Sequence, residues 1–103
     1  MQRINANIIE HAFVAYYECY KDDIDKARSS AGKGVLGTLA FANVLRNAFA
    51  HGGVIHFTKG KAAVTVNWGG LSYSMKDNGQ QVMYNDMSTG DVILLMLDMD
   101  PLF

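Results

Sequence analysis

The chain has 103 residues, half of them hydrophobic and 18% charged; that length holds one domain, and the composition is too apolar for a disordered chain. Nine Lys and Arg against ten Asp and Glu leave a formal charge of −1, which excludes a protein that coats nucleic acid by bulk electrostatics but not one with a local phosphate site. The single cysteine, Cys19, excludes an internal disulfide and a multi-cysteine zinc site, and fits a reducing compartment.

Residues 4–28 contain no Gly or Pro. Apolar side chains recur there at Ile9, Phe13, Tyr16, Tyr17, Tyr20 and Ile24, spacings of three and four that predict one helix with one buried face. The Ser/Gly/Lys stretch 29–34 reads as a loop. A second helix is expected over 35–51, apolar on most sides and closed by Gly52-Gly53. Period two then takes over, in short runs at 54–58, 62–68, 71–75 and 81–84. The links between them, Lys59-Gly60-Lys61, Gly69-Gly70 and Asp77-Asn78-Gly79, suit tight hairpins and are too short for parallel crossovers. Ser88-Thr89-Gly90-Asp91 resembles a capping box with Asp in place of Glu and opens a final helix over 89–99, stopped by Pro101. The expected class is α+β, a single domain over 1–103: a core of about three helices with an inserted antiparallel β-meander of three to four strands across 54–86.

The longest strongly apolar run, 92–97, is far below the roughly 20 residues that span a bilayer, and Glu10 and His11 interrupt any signal-peptide core. A cytoplasmic protein without a membrane partner is expected. Six Met and 11% aromatics exceed what so small a core uses, so some apolar surface is expected to face a second copy.

The chemistry concentrates in Asn43-Val44-Leu45-Arg46-Asn47-Ala48-Phe49-Ala50-His51-Gly52-Gly53. At roughly 100° per residue, Asn43, Arg46, Asn47 and His51 fall within an arc of about 140°. Asn47 and His51 are four apart, so the amide can reach the imidazole and fix its orientation. Arg46 is long enough to bring a fork of donors over the same face. An imidazole with an ordinary pKa of about 6.5 can take a proton from a 2′-hydroxyl or give one to a leaving oxygen. A guanidinium can hold the phosphate and offset its developing charge. The same residues also fit an ordinary helix end, with cations against the dipole and Gly at the left-handed C′ position.

Arg46-Asn47-Ala48-Phe49-Ala50-His51-Gly52 resembles the signature of the HEPN superfamily: an Arg, four to six residues, then a His, with a polar residue after the Arg and a Gly after the His. The resemblance implies helical domains that dimerise with their motifs facing one another. It also implies metal-independent endoribonuclease activity in toxin–antitoxin and anti-phage systems, needing no cofactor, with some relatives serving as non-catalytic binding modules. Carried onto this chain, it makes His51 the general acid/base, Arg46 the phosphate-binding residue and Asn47 its orienting neighbour. RNA is then the expected substrate, and an antitoxin or defence-system protein a possible partner. Gly53 stands where one toxin branch carries a modified Tyr, so regulation at that position is not implied. The β-rich segment leaves fewer long helices than the usual four-helix arrangement.

Other residues invite plainer readings. His11 is expected in a core or interface and His56 on the polar face of a strand. Three His without a close carboxylate at ligand spacing make a poor zinc site. Asp22, Asp23 and Asp25 read as a solvated face rather than a calcium loop. Tyr16, Tyr17, Tyr20, Tyr73, Tyr84 and Trp68 are expected mostly in the core or an interface. Gly32-Lys33-Gly34 lacks the spacing of a P-loop. A small-ligand protein with the strands as a lid is a third reading.

Overall fold

A computed structural model describes residues 2–30, 33–57, 65–83 and 85–102. It is α+β: helices α1 (Gln2–Cys19), α2 (Lys21–Ser30), α3 (Lys33–Ala50) and α4 (Thr89–Met99), with strands β1 (Val66–Trp68) and β2 (Leu71–Tyr73) between α3 and α4. No helix among the described residues is long and apolar enough to cross a membrane.

The expected 4–28 helix is divided at Tyr20. The Tyr20 amide still reaches the carbonyls of Tyr16 and Tyr17, and its own carbonyl accepts from Ile24 N at 2.9 Å, starting α2. A straight helix would keep Tyr20 on the stripe of Phe13, Tyr17 and Ile24. Instead Tyr20 is 40% exposed while the other three are buried. The break re-aims α2 so that Ile24 enters the core and α2 packs along α3. Asp22 and Asp23 stand in the first turn of α2 and Arg28 in its last, the charge order that suits a helix dipole. The acidic cluster is thus the start of a helix as well as an exposed face. His11, expected in the core or an interface, is exposed on α1.

The α3 helix is the centre of the molecule. Leu39, Phe41, Ala42, Val44, Leu45, Ala48 and Phe49 are all buried, so it packs against α1, α2, α4 and β1 at once. Phe13 of α1 meets Phe49 edge-to-face, with ring centroids 5.8 Å apart. Phe41 stacks on Tyr73 at 5.7 Å and leans on Trp68 at 5.9 Å, tying α3 to the hairpin.

That hairpin is antiparallel, with Trp68 opposite Leu71 and Val66 opposite Tyr73. Gly69 and Gly70 both have positive φ, 56° and 84°, as a two-residue turn matched to strand twist requires. Among the described residues the other expected strands form no second sheet. Residues 54–57 run beside 78–82 with a single bridge, Val54–Gln81. Ile55 N donates to Gln80 O at 2.9 Å and Ile55 O accepts from Gly79 N at 2.8 Å. At Phe57 the Asn78 side chain stands in for a backbone rung, its Oδ1 accepting from Phe57 N at 2.7 Å and its Nδ2 donating to Phe57 O. Among the described residues the sheet is therefore two-stranded, against an expected meander of three to four strands. The turn at Lys59-Gly60-Lys61, residues 62–64 and Tyr84 lie outside the described residues. The end of the chain matches its reading. Ser88 Oγ accepts from Asp91 N at 3.3 Å while Asp91 Oδ2 accepts from Ser88 N at 2.9 Å, and a 3₁₀ turn carrying Pro101 ends α4.

Candidate functional site

The C-terminal end of α3 positions the motif. Gly53 N donates to Ala48 O at 2.8 Å, the long bond of a Schellman cap, with Gly52 in the left-handed C′ position at φ 84°. His51 is therefore the last residue of the helix path, exposed, and the chain reverses through the two glycines immediately after it. The reversal brings His56 back to His51, with ring centroids 6.4 Å apart.

These two imidazoles share an open cleft of about 530 Å³ with Arg28, Asn43 and Asn47, over an apolar wall that includes Val44, Val54 and Phe57. Helical geometry explains the selection. Asn43, Asn47 and His51 span roughly 80° of the α3 surface, and Arg46 lies roughly 140° from His51 on the far side of Asn43. The polar arc expected to act as one face is thus split. Asn47 and His51 line the cleft, whereas Arg46 does not.

Arg46 is directed at α1. Its Nε donates to Glu18 Oε1 at 2.7 Å, its Nη2 donates to the same oxygen, and its Nη1 donates to Asn47 Oδ1 at 2.8 Å. Because a guanidinium only donates, the Asn47 atom facing it must be the carbonyl oxygen. The Asn47 NH2 remains for another partner. Asn43 is held by Tyr17, its Oδ1 accepting from the Tyr17 hydroxyl at 3.3 Å. Burial pushes the Tyr17 phenol up, an effect opposed by the neighbouring Arg28 guanidinium.

Arg28 and His56 are the residues that sequence reasoning missed. Arg28 lines the cleft, and its Nε is buried without a hydrogen-bond partner. The signal for it was the acid-to-base order along 22–28, which marks a separate helix. For His56 the signal was a tight Gly-Gly turn between two histidines five residues apart. Among the described residues no three His, Cys, Asp or Glu side chains gather in a way that could hold a metal ion.

Glu10 closes the back of the cap. A Cβ added at Gly53 would meet Glu10 Oε2 at 2.7 Å. Burial pushes the Glu10 carboxyl above its ordinary value, with His11 pulling the other way. The folded state then holds this proton more tightly than the unfolded chain, so stability falls as pH rises through the window between the ordinary and the raised value. Glu10→Gln is expected to raise Tm by a few degrees at pH 7 and to leave it unchanged near pH 3, where both forms are neutral; calorimetry at the two pH values measures this.

No family model, no curated protein and no solved structure matches the chain. What the fold and the cleft themselves define is an α+β domain with a pocket of imidazoles and hydrogen-bond donors at the end of its central helix.

Proposed function

We propose that this chain is a HEPN-like, metal-independent endoribonuclease that cuts RNA by attack of a 2′-hydroxyl on the adjacent phosphodiester. One observation carries the reading: His51 of the Arg-Asn-x-x-x-His-Gly stretch opens on a cleft that contains a cation and two amides and that no carboxylate among the described residues lines. His51 exchanges protons with the reacting oxygens, a role open to an exposed imidazole. Asn47 is the polar neighbour, and Arg46 holds Asn47 by its carbonyl. RNA supplies its own nucleophile, so a metal is not needed to generate one.

On this reading the helices form a HEPN-like core and residues 54–86 a β-rich insertion. The protein works as a cytoplasmic homodimer, with a toxin–antitoxin or anti-phage setting as its context. Ile93, Leu94 and Leu97 are exposed on α4, apolar surface of the kind a second copy would cover. The test is incubation of end-labelled RNA with purified protein in EDTA. The expected products carry 2′,3′-cyclic phosphate and 5′-hydroxyl ends. Intact RNA, or cleavage only after divalent metal is restored, would overturn the proposal.

A second reading has its own support. Arg46 is tied to both Glu18 and Asn47, which suits a polar seam in a non-catalytic, dimeric HEPN-like module. In that case RNA stays intact, and Arg46→Ala weakens the dimer instead.

A further inference from the structure

We infer that the cleft is a two-histidine phosphate site in which Arg28, rather than Arg46, is the cation, and in which His56 is the second proton-transfer group beside His51. Its role in cleavage rests on the ribonuclease reading; its capacity to bind phosphate does not.

Three observations converge on an anion. First, Arg28 lines the cleft; its Nε is buried without a hydrogen-bond partner, so the guanidinium keeps unmet donor capacity beside the Tyr17 hydroxyl. Arg46 has no such need, being paired with Glu18. Second, Asn47 commits its carbonyl oxygen to the donor-only Arg46, which leaves its NH2 as a donor, and Asn43, held by the Tyr17 hydroxyl, adds a second amide to the lining. Third, His51 and His56 stand 6.4 Å apart between centroids, close enough for both rings to reach oxygens of one tetrahedral group through bonds of about 2.8 Å. No carboxylate among the described lining residues competes for these donors. A carboxylate ligand would be satisfied by the guanidinium fork alone, whereas donors converging from α2, α3 and the segment after the Gly-Gly turn suit an anion with several oxygens. At about 530 Å³, the cleft is in the size range of sites for small organic ligands, and its apolar wall leaves room for a ribose or base beside the phosphate.

With RNA bound, the chemistry divides between the two rings. The 2′-oxygen forms a bond to phosphorus and gives its proton to one imidazole. The bond from phosphorus to the 5′-oxygen breaks, and the leaving oxygen takes a proton from the other, protonated imidazole. Arg28 offsets charge on the non-bridging oxygens.

Inorganic phosphate is the probe, titrated into the full chain while the histidine C2 protons are followed by NMR. The C2 signals of His51 and His56 are expected to move together and saturably, while that of His11, exposed on α1, stays fixed. Arg28→Gln and His56→Gln should each weaken binding about tenfold or more, and Arg46→Gln by less than Arg28→Gln does. The site is overturned if phosphate moves neither ring, if it moves all three alike, if zinc chloride but not phosphate moves the pair, or if Arg46→Gln is the more damaging arginine change. The wild-type titration decides the matter even if Arg28→Gln does not fold. RNA cleavage without phosphate binding at this pair would sink the site and spare the ribonuclease reading; phosphate binding without cleavage would do the reverse.

Discussion

Phe41→Ala is expected to lower the unfolding free energy by about 3–5 kcal/mol, the range for removing a fully buried aromatic ring. Phe41 is 0% exposed. It is also the ring through which α3 holds the hairpin, stacked on Tyr73 and in contact with Trp68. Other ties reach those partners, since Tyr73 donates to Asp86 at 2.7 Å and Trp68 Nε1 to Asp98 at 3.0 Å. They fix the hairpin toward the chain that leads into α4 and toward α4 itself, so the hairpin cannot easily collapse onto α3 to fill the space. The loss should therefore lie toward the upper part of the range. Domains of this size typically have 5–15 kcal/mol in total, and a loss of this size corresponds to roughly 15–30 °C in Tm. Urea denaturation should show a lower midpoint with an unchanged slope. A loss below about 1 kcal/mol would mean that the hairpin is not docked on this ring.

The parts of the fold that could be read from the sequence are those set by short-range chemistry. The Ser88 and Asp91 capping pair, the Gly69-Gly70 turn and the Gly52 helix end each depend on residues within one turn of each other, where propensity and hydrogen bonding decide the outcome. The break at Tyr20 is different. Nothing in the local sequence forbids a continuous helix there, and the apolar stripe runs through it. What divides the helix is tertiary packing, which places Ile24 in the core and leaves Tyr20 outside it. The described residues carry only one hairpin of the expected meander, for a related reason. Period two reports an extended segment, not its partner, and Asn78 took the place of a rung that alternation alone predicts.

The candidate site divides along the same line. Asn47 and His51 share a face because four residues of helix put them there. Arg46 shares the sequence motif but not the cleft, because Glu18 on another helix draws it away. Arg28 and His56 enter from α2 and from the segment beyond the turn, so only the fold could gather them. A spacing motif identifies the helix whose end lines the cleft; the neighbouring elements decide which cation faces it.

On the ribonuclease proposal, His51→Ala is expected to reduce kcat/KM for RNA by about 10²- to 10⁴-fold, the usual contribution of a positioned proton-transfer group, equivalent to about 2.7–5.4 kcal/mol of transition-state stabilisation. The stability cost should stay within about 0.5 kcal/mol, because His51 is exposed at the helix end and the Gly52-Gly53 cap does not use its side chain. That separation makes the variant informative, since activity falls while the melting curve does not. Arg46→Ala then discriminates between two mechanisms. If Arg46 acts only by holding the Asn47 carbonyl, Asn47→Ala should reproduce its loss, and the double variant should lose little more than either single one. If Arg46 instead leaves Glu18 to grip the phosphate, as the motif implies, its loss should approach that of His51→Ala and exceed that of Asn47→Ala. Glu18→Ala should then increase activity by freeing the guanidinium. An exposed pair such as this is worth about 0–1 kcal/mol, so a bound RNA phosphate could outcompete the carboxylate. Single-turnover cleavage rates for these variants, measured in EDTA, separate the two mechanisms.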